Sequence, residues 1–311
     1  MRLVAIVGPT ASGKSALALA LAEEFGGEII SCDSTAVYRG LDIGTDKLDL
    51  AQRRGIPHHL VDVVDPTEVY SAARYGADAA TAAADITARG RLPIVVGGTG
   101  FYLRALVRGI FPGPGRDEAL RARLNRVAER RGVVSLHRWL TRVDEASARR
   151  IQPRDQKRLV RALEVYLLTG RPLTDHFADT ASPAGALETL TIGVNVPRPL
   201  LLERVTRRVD EQFQRGVVDE VRALVARGVP LTAHAFSGLV YRQVVDYLNG
   251  VRDLAATREL VIRENMRYAK RQLTWFRKEP GIVWLSAPGE TEAARQEALT
   301  LVAGLTAGQR A

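Results

Sequence analysis

The chain has 311 residues, 46% hydrophobic and 25% charged, and its 44 Lys and Arg against 35 Asp and Glu give a net charge of +9. That composition excludes a disordered or collagen-like chain and points to an anionic partner. Cys32 is the one cysteine and the 5 histidines lack ligand spacing, which excludes a disulfide framework and a Cys-rich zinc site.

Leu3 to Val7 is a short apolar run ending in Gly8-Pro9, and Ala16 to Phe25 is rich in Ala and Leu, so the chain opens as strand, glycine loop and helix. That immediate strand leaves no room for a signal segment, and no stretch approaches the ~20 apolar residues of a membrane span, so a cytoplasmic protein with no membrane partner is expected. Glu28 to Ser31 and Leu60 to Val64 read as the second and third strands. Ser71 to Arg89 reads as an Ala-rich helix, followed by a strand over Leu92–Val96 and the turn Gly97-Gly98-Thr99. Strands alternating with helices predict a parallel sheet covered on both faces. After the segment Phe111-Pro112-Gly113-Pro114-Gly115, Asp117 to Thr169 shows helical periodicity and no strand. Strand character returns over Thr189–Val196. Helices follow over Leu200–Arg215, Val217–Arg227, Ser237–Asn249 and Asp253–Arg277, then a strand at Ile282–Leu285 and a C-terminal helix. The predicted class is α/β: a P-loop NTPase-like parallel sheet flanked by helices, formed by residues 1–110 and 189–311, with an all-helical insertion domain at 111–188.

Gly8-Pro9-Thr10-Ala11-Ser12-Gly13-Lys14-Ser15 fits G-x-x-x-x-G-K-[ST] between that strand and helix. The glycines let backbone N–H groups converge on phosphate oxygens, the helix N-terminus adds partial positive charge, Lys14 adds a full one, and the Ser15 hydroxyl suits Mg²⁺. Kinases, ATPases and other ATP-binding or phosphate-ester enzymes share this nucleotide-binding loop, so it does not fix the reaction. An ordinary P-loop ATPase carries a metal-binding Asp at the end of a buried strand, yet Leu92–Val96 ends in Gly97-Gly98-Thr99; this argues against ATP hydrolysis without excluding it, because Asp62 and Asp65 follow another apolar run and could serve. Asp33 follows the second strand, where the carboxyl ends of parallel strands surround one crevice, and Asp-Ser is equally a common helix cap.

The charge is uneven. Residues 104–161 carry 16 basic and 6 acidic side chains, against 9 and 12 over 1–103 and 19 and 17 over 162–311. A solvated helical face is one reading; because nearly all of the excess is arginine, a nucleic-acid surface is the other.

The motifs GPTASGKS (8–15), IISCDSTAVYRGLDIGTDK (29–47), GGTGFYLRAL (97–106), KRLVRALEV (157–165), RVTRRVDEQF (204–213) and RYAKRQLTWFR (267–277) together resemble the tRNA dimethylallyltransferases over nearly the whole chain. The resemblance implies transfer of a five-carbon allylic group from dimethylallyl diphosphate to N6 of adenine 37 in tRNA, with Mg²⁺ as cofactor and pyrophosphate as product. It implies Asp33 as general base, Thr10 in the reaction channel, and Lys14 and Arg208 on the diphosphate. It maps tRNA contacts onto Asp33, Ser34, Thr35, Ala36, Thr99, Arg121, Lys157, Arg158, Leu159, Val160, Arg161, Tyr241, Arg242 and Gln243, and gives the basic insertion the anticodon stem-loop. Tyr38, Phe101 and Tyr102 are candidates for stacking or for core. The chain departs from the family pattern at Ala36 (commonly Gln or Leu), Val240 (Gly) and Gln156-Lys157 (Pro-Gln or Pro-Arg). A monomer is expected. An adenylate isopentenyltransferase would share the centre without needing the basic insertion, and a P-loop small-molecule kinase would turn over ATP.

Overall fold

Strand β1 (Arg2–Val7) turns Leu3, Ala5 and Val7 toward one apolar cluster and Val4 and Ile6 toward another, as a strand buried on both faces must. The computed structural model describes residues 2–111, 113–185 and 188–307. Met1, Pro112 of the Pro/Gly segment, Ala186 and Leu187 at the insertion's end, and residues 308–311 lie outside the described residues. From β1 the chain passes through the glycine loop into α1 (Lys14–Phe25), which stops at Gly26 in the left-handed conformation. Strands β2 (Gly27–Cys32) and β3 (His58–His59), helix α2 (Ala72–Ala88), strand β4 (Leu92–Gly97) and helix α3 (Gly100–Arg108) follow. Ser71 caps α2 by accepting from the Arg74 amide.

Five helices come next: α4 (Glu118–Arg131), α5 (Val133–Val143), α6 (Glu145–Arg150), α7 (Gln156–Thr169) and α8 (Leu173–Ala178). The chain then runs through β5 (Glu188–Gly193), α9 (Arg198–Gln214), α10 (Val217–Ala226), a 3₁₀ turn (His234–Ser237), α11 (Leu239–Leu248), α12 (Leu254–Phe276), β6 (Ile282–Trp284) and α13 (Glu292–Ala307). Backbone contacts divide the chain into two compact units, Met1–Val107 with Pro183–Ala311, and Arg108–Ser182. No described helix is long and apolar enough to cross a membrane.

In the first unit the sheet order is β3-β2-β4-β1-β5-β6, and every neighbouring pair is parallel. Leu17 and Leu21 of α1 and Ala294, Ala298 and Val302 of α13 cover one face. Ile86, Val205, Val221 and Val261, from α2, α9, α10 and α12, belong to the cluster on the other. Val7 and Cys32 both pair with Gly97, so β1, β2 and β4 end level, and Gly8, Asp33 and Gly98 leave the sheet side by side.

The third strand is earlier and shorter than Leu60–Val64. Leu60 and Asp62 take positive φ values of 59° and 58°, which extended chain does not allow, so the backbone turns and Val64 keeps only an isolated parallel bridge to Tyr38.

The second unit has its own core of Leu124, Leu136, Leu140, Leu159 and Leu163. Beside it the fully buried Glu164 accepts from Arg121 Nε (2.7 Å) and Nη2 (2.8 Å), Arg161 Nη1 (2.7 Å) and the Asp117 amide (2.9 Å). Burial alone would raise the pKa of this carboxyl; the hydrogen bonds from Arg121, Arg161 and Asp117 outweigh it and hold the group at about 2.

Candidate active site

The glycine loop reaches α1 through Gly13, whose φ of 87° suits glycine and whose missing Cβ leaves room for the Glu290 carboxylate. Lys14 folds back over the loop and donates to the Pro9 carbonyl and, at 3.4 Å, to Ser12 Oγ. Burial, and then the neighbouring Arg208 charge, lower its pKa from 10.5 to about 7, against the pull of Asp33. A buried cationic loop with this deficit of counter-charge is suited to an anion.

Arg208, from α9, supplies the opposite wall. Its Nη1 donates to Thr10 Oγ1 (2.9 Å) and its Nη2 to the Thr45 carbonyl (3.1 Å), while Nε pairs with Asp46 (3.3 Å). The guanidinium is thereby aimed at the glycine loop rather than at solvent.

Asp33 stands just beyond β2. Its Oδ1 accepts from the Thr35 amide (2.8 Å), Thr35 Oγ1 (2.6 Å) and the Ala36 amide (3.3 Å). Among the described residues no hydrogen bond occupies Oδ2. The side chain therefore caps the loop through one oxygen while lining the cavity, with the other oxygen left without a hydrogen bond among the described residues. Thr99 fixes this loop: its Oγ1 accepts from the Ser34 amide (3.2 Å), and its own amide donates to the Cys32 carbonyl (3.2 Å).

Thr10, Lys14, Ser15, Asp33 and Arg208 all line one cavity of about 520 Å³. Helix α12 contributes Asn265, Tyr268, Arg271 and Gln272 to the same wall. Gln272 bridges two of the strand ends, accepting from the Thr10 amide (3.0 Å) and donating to the Gly98 carbonyl (3.0 Å). Sequence reasoning gave these four residues no role. The signal available was the RYAKRQLTWFR motif, which carries three of them.

The model of the family described as IPP transferase matches residues 36–279, and that of Isopentenyl transferase matches residues 1–54. The tRNA dimethylallyltransferase of Solibacter usitatus is 48% identical over 97% of this chain and 98% of its own length. The chain belongs to the IPP transferase family. That of Geobacter metallireducens is 46% identical over 94% of each. Among solved structures, the tRNA isopentenylpyrophosphate transferase of Bacillus halodurans matches with a TM-score of 0.72 at 37% identity, covering 97% of this chain and 96% of that one. A eukaryotic dimethylallyltransferase, seen in crystallographic snapshots acting on tRNA, matches with a TM-score of 0.80 at 27% identity, over 99% of this chain and 80% of that one.

Within this member of the family the remaining sequence candidates fall into distinct places. Ser34, Thr35, Ala36, Tyr241 and Arg242 line the cavity with Asp33. Tyr241 is buried and donates to Glu220 Oε1 (2.8 Å), and buried Gln243 accepts from Arg252 Nη1 (3.0 Å), so both side chains are committed to internal bonds. In the helical unit Lys157 and Arg158 are exposed, Leu159 and Val160 are buried in the core, and Arg121 and Arg161 are paired with Glu164. Leu159 and Val160 face inward because they occupy the apolar stripe of α7. Tyr38 and Tyr102 are core residues, Tyr102 stacking on Tyr75 at 4.3 Å, and Phe101 is exposed; none of the three is among the described lining residues. Asp62 pairs with Lys47 (2.5 Å) and Asp65 accepts from Thr67, which leaves neither on the glycine loop.

Proposed function

We propose that the protein transfers a dimethylallyl group from dimethylallyl diphosphate to the exocyclic N6 of adenine 37 of tRNA, releasing pyrophosphate. The observation that carries this reading is that Lys14, Arg208, Thr10 and Asp33 converge on one cavity. The names of the relatives above support dimethylallyl transfer with tRNA as the acceptor.

Breaking the allylic C–O bond builds negative charge on the departing diphosphate. Lys14, the loop amides and Arg208 stabilise that charge more as the bond breaks than before, which is what lowers a barrier. Thr10, held by Arg208 and Gln272, lines the cavity and would border the path along which the allylic group moves. An aromatic amine is a weak nucleophile whose N–H becomes acidic only as the C–N bond forms, so Asp33 Oδ2 accepts that proton late. With Oδ1 already accepting three bonds, the carboxylate is fixed in one orientation for this task.

Magnesium fits the donor set present. Among the described residues no cluster of three or more His, Cys, Asp or Glu would hold a metal alone, while the Ser15 hydroxyl lines the cavity beside the anion loop. Magnesium characteristically takes few protein ligands and shares its shell with phosphates and water. Ser15 would hold it, and its chemistry there would be to neutralise phosphate charge.

The arginine-rich unit supplies the binding surface for the RNA. Arg123, Arg126, Arg130 and Arg131 of α4 and Lys157 and Arg158 of α7 are exposed, as contacts to a phosphate backbone require. The acceptor base is drawn from a single-stranded loop, where unstacking costs less than in a duplex. The protein acts as a monomer in this scheme, because one chain supplies every residue named.

The test is incubation with Mg²⁺, labelled dimethylallyl diphosphate and either an anticodon stem-loop carrying adenine 37 or AMP. Label in the stem-loop is expected; label in AMP alone, or ATP turnover without prenyl transfer, overturns the proposal. Asp33→Asn, whose amide oxygen can keep the three cap bonds, should bind the stem-loop normally and lose turnover by ~10²–10⁴-fold; unchanged turnover would refute its role.

A further inference from the structure

Glu220, on the first turn of α10, has four donors around its carboxylate. Oε2 accepts from the amides of Asp42 (2.8 Å) and Ile43 (2.6 Å), and Oε1 from the Gly44 amide (3.3 Å) and the Tyr241 hydroxyl (2.8 Å). Three successive backbone N–H groups converging on one carboxylate form an anion nest, here filled by the protein's own side chain. The next residues of the same loop are those that hold Arg208: the Thr45 carbonyl accepts from Nη2 and Asp46 pairs with Nε. Arg208 in turn donates to Thr10 Oγ1. A continuous set of bonds thus runs from Glu220 through residues 42–46 to the guanidinium at the glycine loop.

Two features make this more than a helix-terminal acid meeting a loop. Gly44 passes so close to Tyr241 that a Cβ there would lie 2.6 Å from the ring Cζ, so ring and loop are fitted to each other. All four groups facing Glu220 are donors, so two acceptor oxygens are required, which a carboxylate provides and an amide does not.

We propose that Glu220 is a positioning residue for Arg208, setting through the 42–46 loop the place of the guanidinium that stabilises the leaving diphosphate. The inference rests on the transfer reaction proposed above. It gives the Tyr241 hydroxyl a role in orienting Glu220.

The test uses the full chain and four variants: Glu220→Gln, Tyr241→Phe, Arg208→Ala and the double variant Glu220→Gln with Arg208→Ala. Transfer to a stem-loop is measured as kcat and KM, pyrophosphate binding by calorimetry, and folding by thermal melting. Misplacing a charge-stabilising group by about an ångström is expected to lower kcat by ~10–100-fold. Pyrophosphate binding should weaken with it, while KM for the stem-loop stays fixed. If Glu220 works through Arg208, the same Glu220→Gln change in the Arg208→Ala background should cost less than ~2-fold, the scatter expected when no coupling is left to lose. A loss of folded protein would act equally in both backgrounds, so equal losses overturn the proposal, as does an unchanged rate in Glu220→Gln. Should Glu220→Gln fail to fold, Tyr241→Phe answers instead: a smaller loss of pyrophosphate affinity supports the proposal and an unchanged affinity overturns it. If Arg208→Ala keeps the full rate, the assignment of Arg208 fails first; if Arg208→Ala is slow and Glu220→Gln is not, only the Glu220 proposal fails.

Discussion

Lys14 is mostly uncharged above pH 7 until an anion arrives, because burial and the Arg208 guanidinium hold its pKa at about 7. A bound diphosphate reverses that balance, so binding takes up a proton wherever the free lysine has lost one. At pH 8 a group of pKa about 7 is ~90% deprotonated, and restoring its proton costs about 1.4 kcal/mol, a ~10-fold loss of affinity; at pH 9 the loss is ~100-fold. The direction follows from the shift: affinity is greatest below pH 7 and falls as pH rises through the free value toward the bound one. Calorimetric titration with pyrophosphate at pH 6 to 9, in buffers of differing protonation enthalpy, measures both affinity and proton uptake. Lys14→Gln is the reference that removes the titration of pyrophosphate itself. The ratio of wild-type to Lys14→Gln affinity should fall ~10-fold from pH 6 to pH 8, with ~0.9 more proton taken up at pH 8 by the wild type than by Lys14→Gln. A ratio constant across that range, or equal proton uptake by both proteins, refutes the reasoning.

Glu164→Gln should destabilise the helical unit by ~3–5 kcal/mol in urea unfolding, because it leaves Arg121 and Arg161 facing each other without their carboxylate. The stabilisation due to the Glu164 charge is complete above about pH 4.5 and is lost as pH falls to about 2, so the gap between wild type and variant should narrow by about 3 kcal/mol over that window; a constant gap would refute it. Gln272→Ala removes the partners of the Thr10 amide and the Gly98 carbonyl at once, and each polar group left unsatisfied is worth about 1–3 kcal/mol. Urea unfolding and donor KM should both respond, and a variant indistinguishable from wild type in each would show that the bridge is incidental.

What the sequence made legible was local. The glycine loop announces itself because its function depends on residue spacing within eight positions, between an apolar strand and a helix. Asp33 was readable as a strand-end carboxylate because the carboxyl ends of parallel strands share one crevice. Its cap is visible only in three dimensions, where Oδ1 takes the capping bonds and leaves Oδ2 for the proton transfer proposed above. Gln272 lay within the RYAKRQLTWFR motif, yet its bridging role was unreadable, since its partner Thr10 lies 262 positions away and nothing short-range links them. The inward facing of Leu159 and Val160 was hidden for the opposite reason: they lie inside a basic run, and only the burial of one stripe of α7 separates core from surface. The error at Leu60–Val64 arose because an apolar, β-branched run looks extended, and its two left-handed residues carry no glycine to betray them.

Helix α12 has 23 residues and is therefore about 35 Å long. Asn265, Tyr268 and Gln272 share one side of that rod, so the wall they form is stiff and indivisible: it tilts or slides as a whole. Refashioning the chamber for a bulkier passenger therefore falls to the side chains themselves, Asn265 and Tyr268 first, since the 33–36 and 42–46 segments are tied down by their own hydrogen bonds.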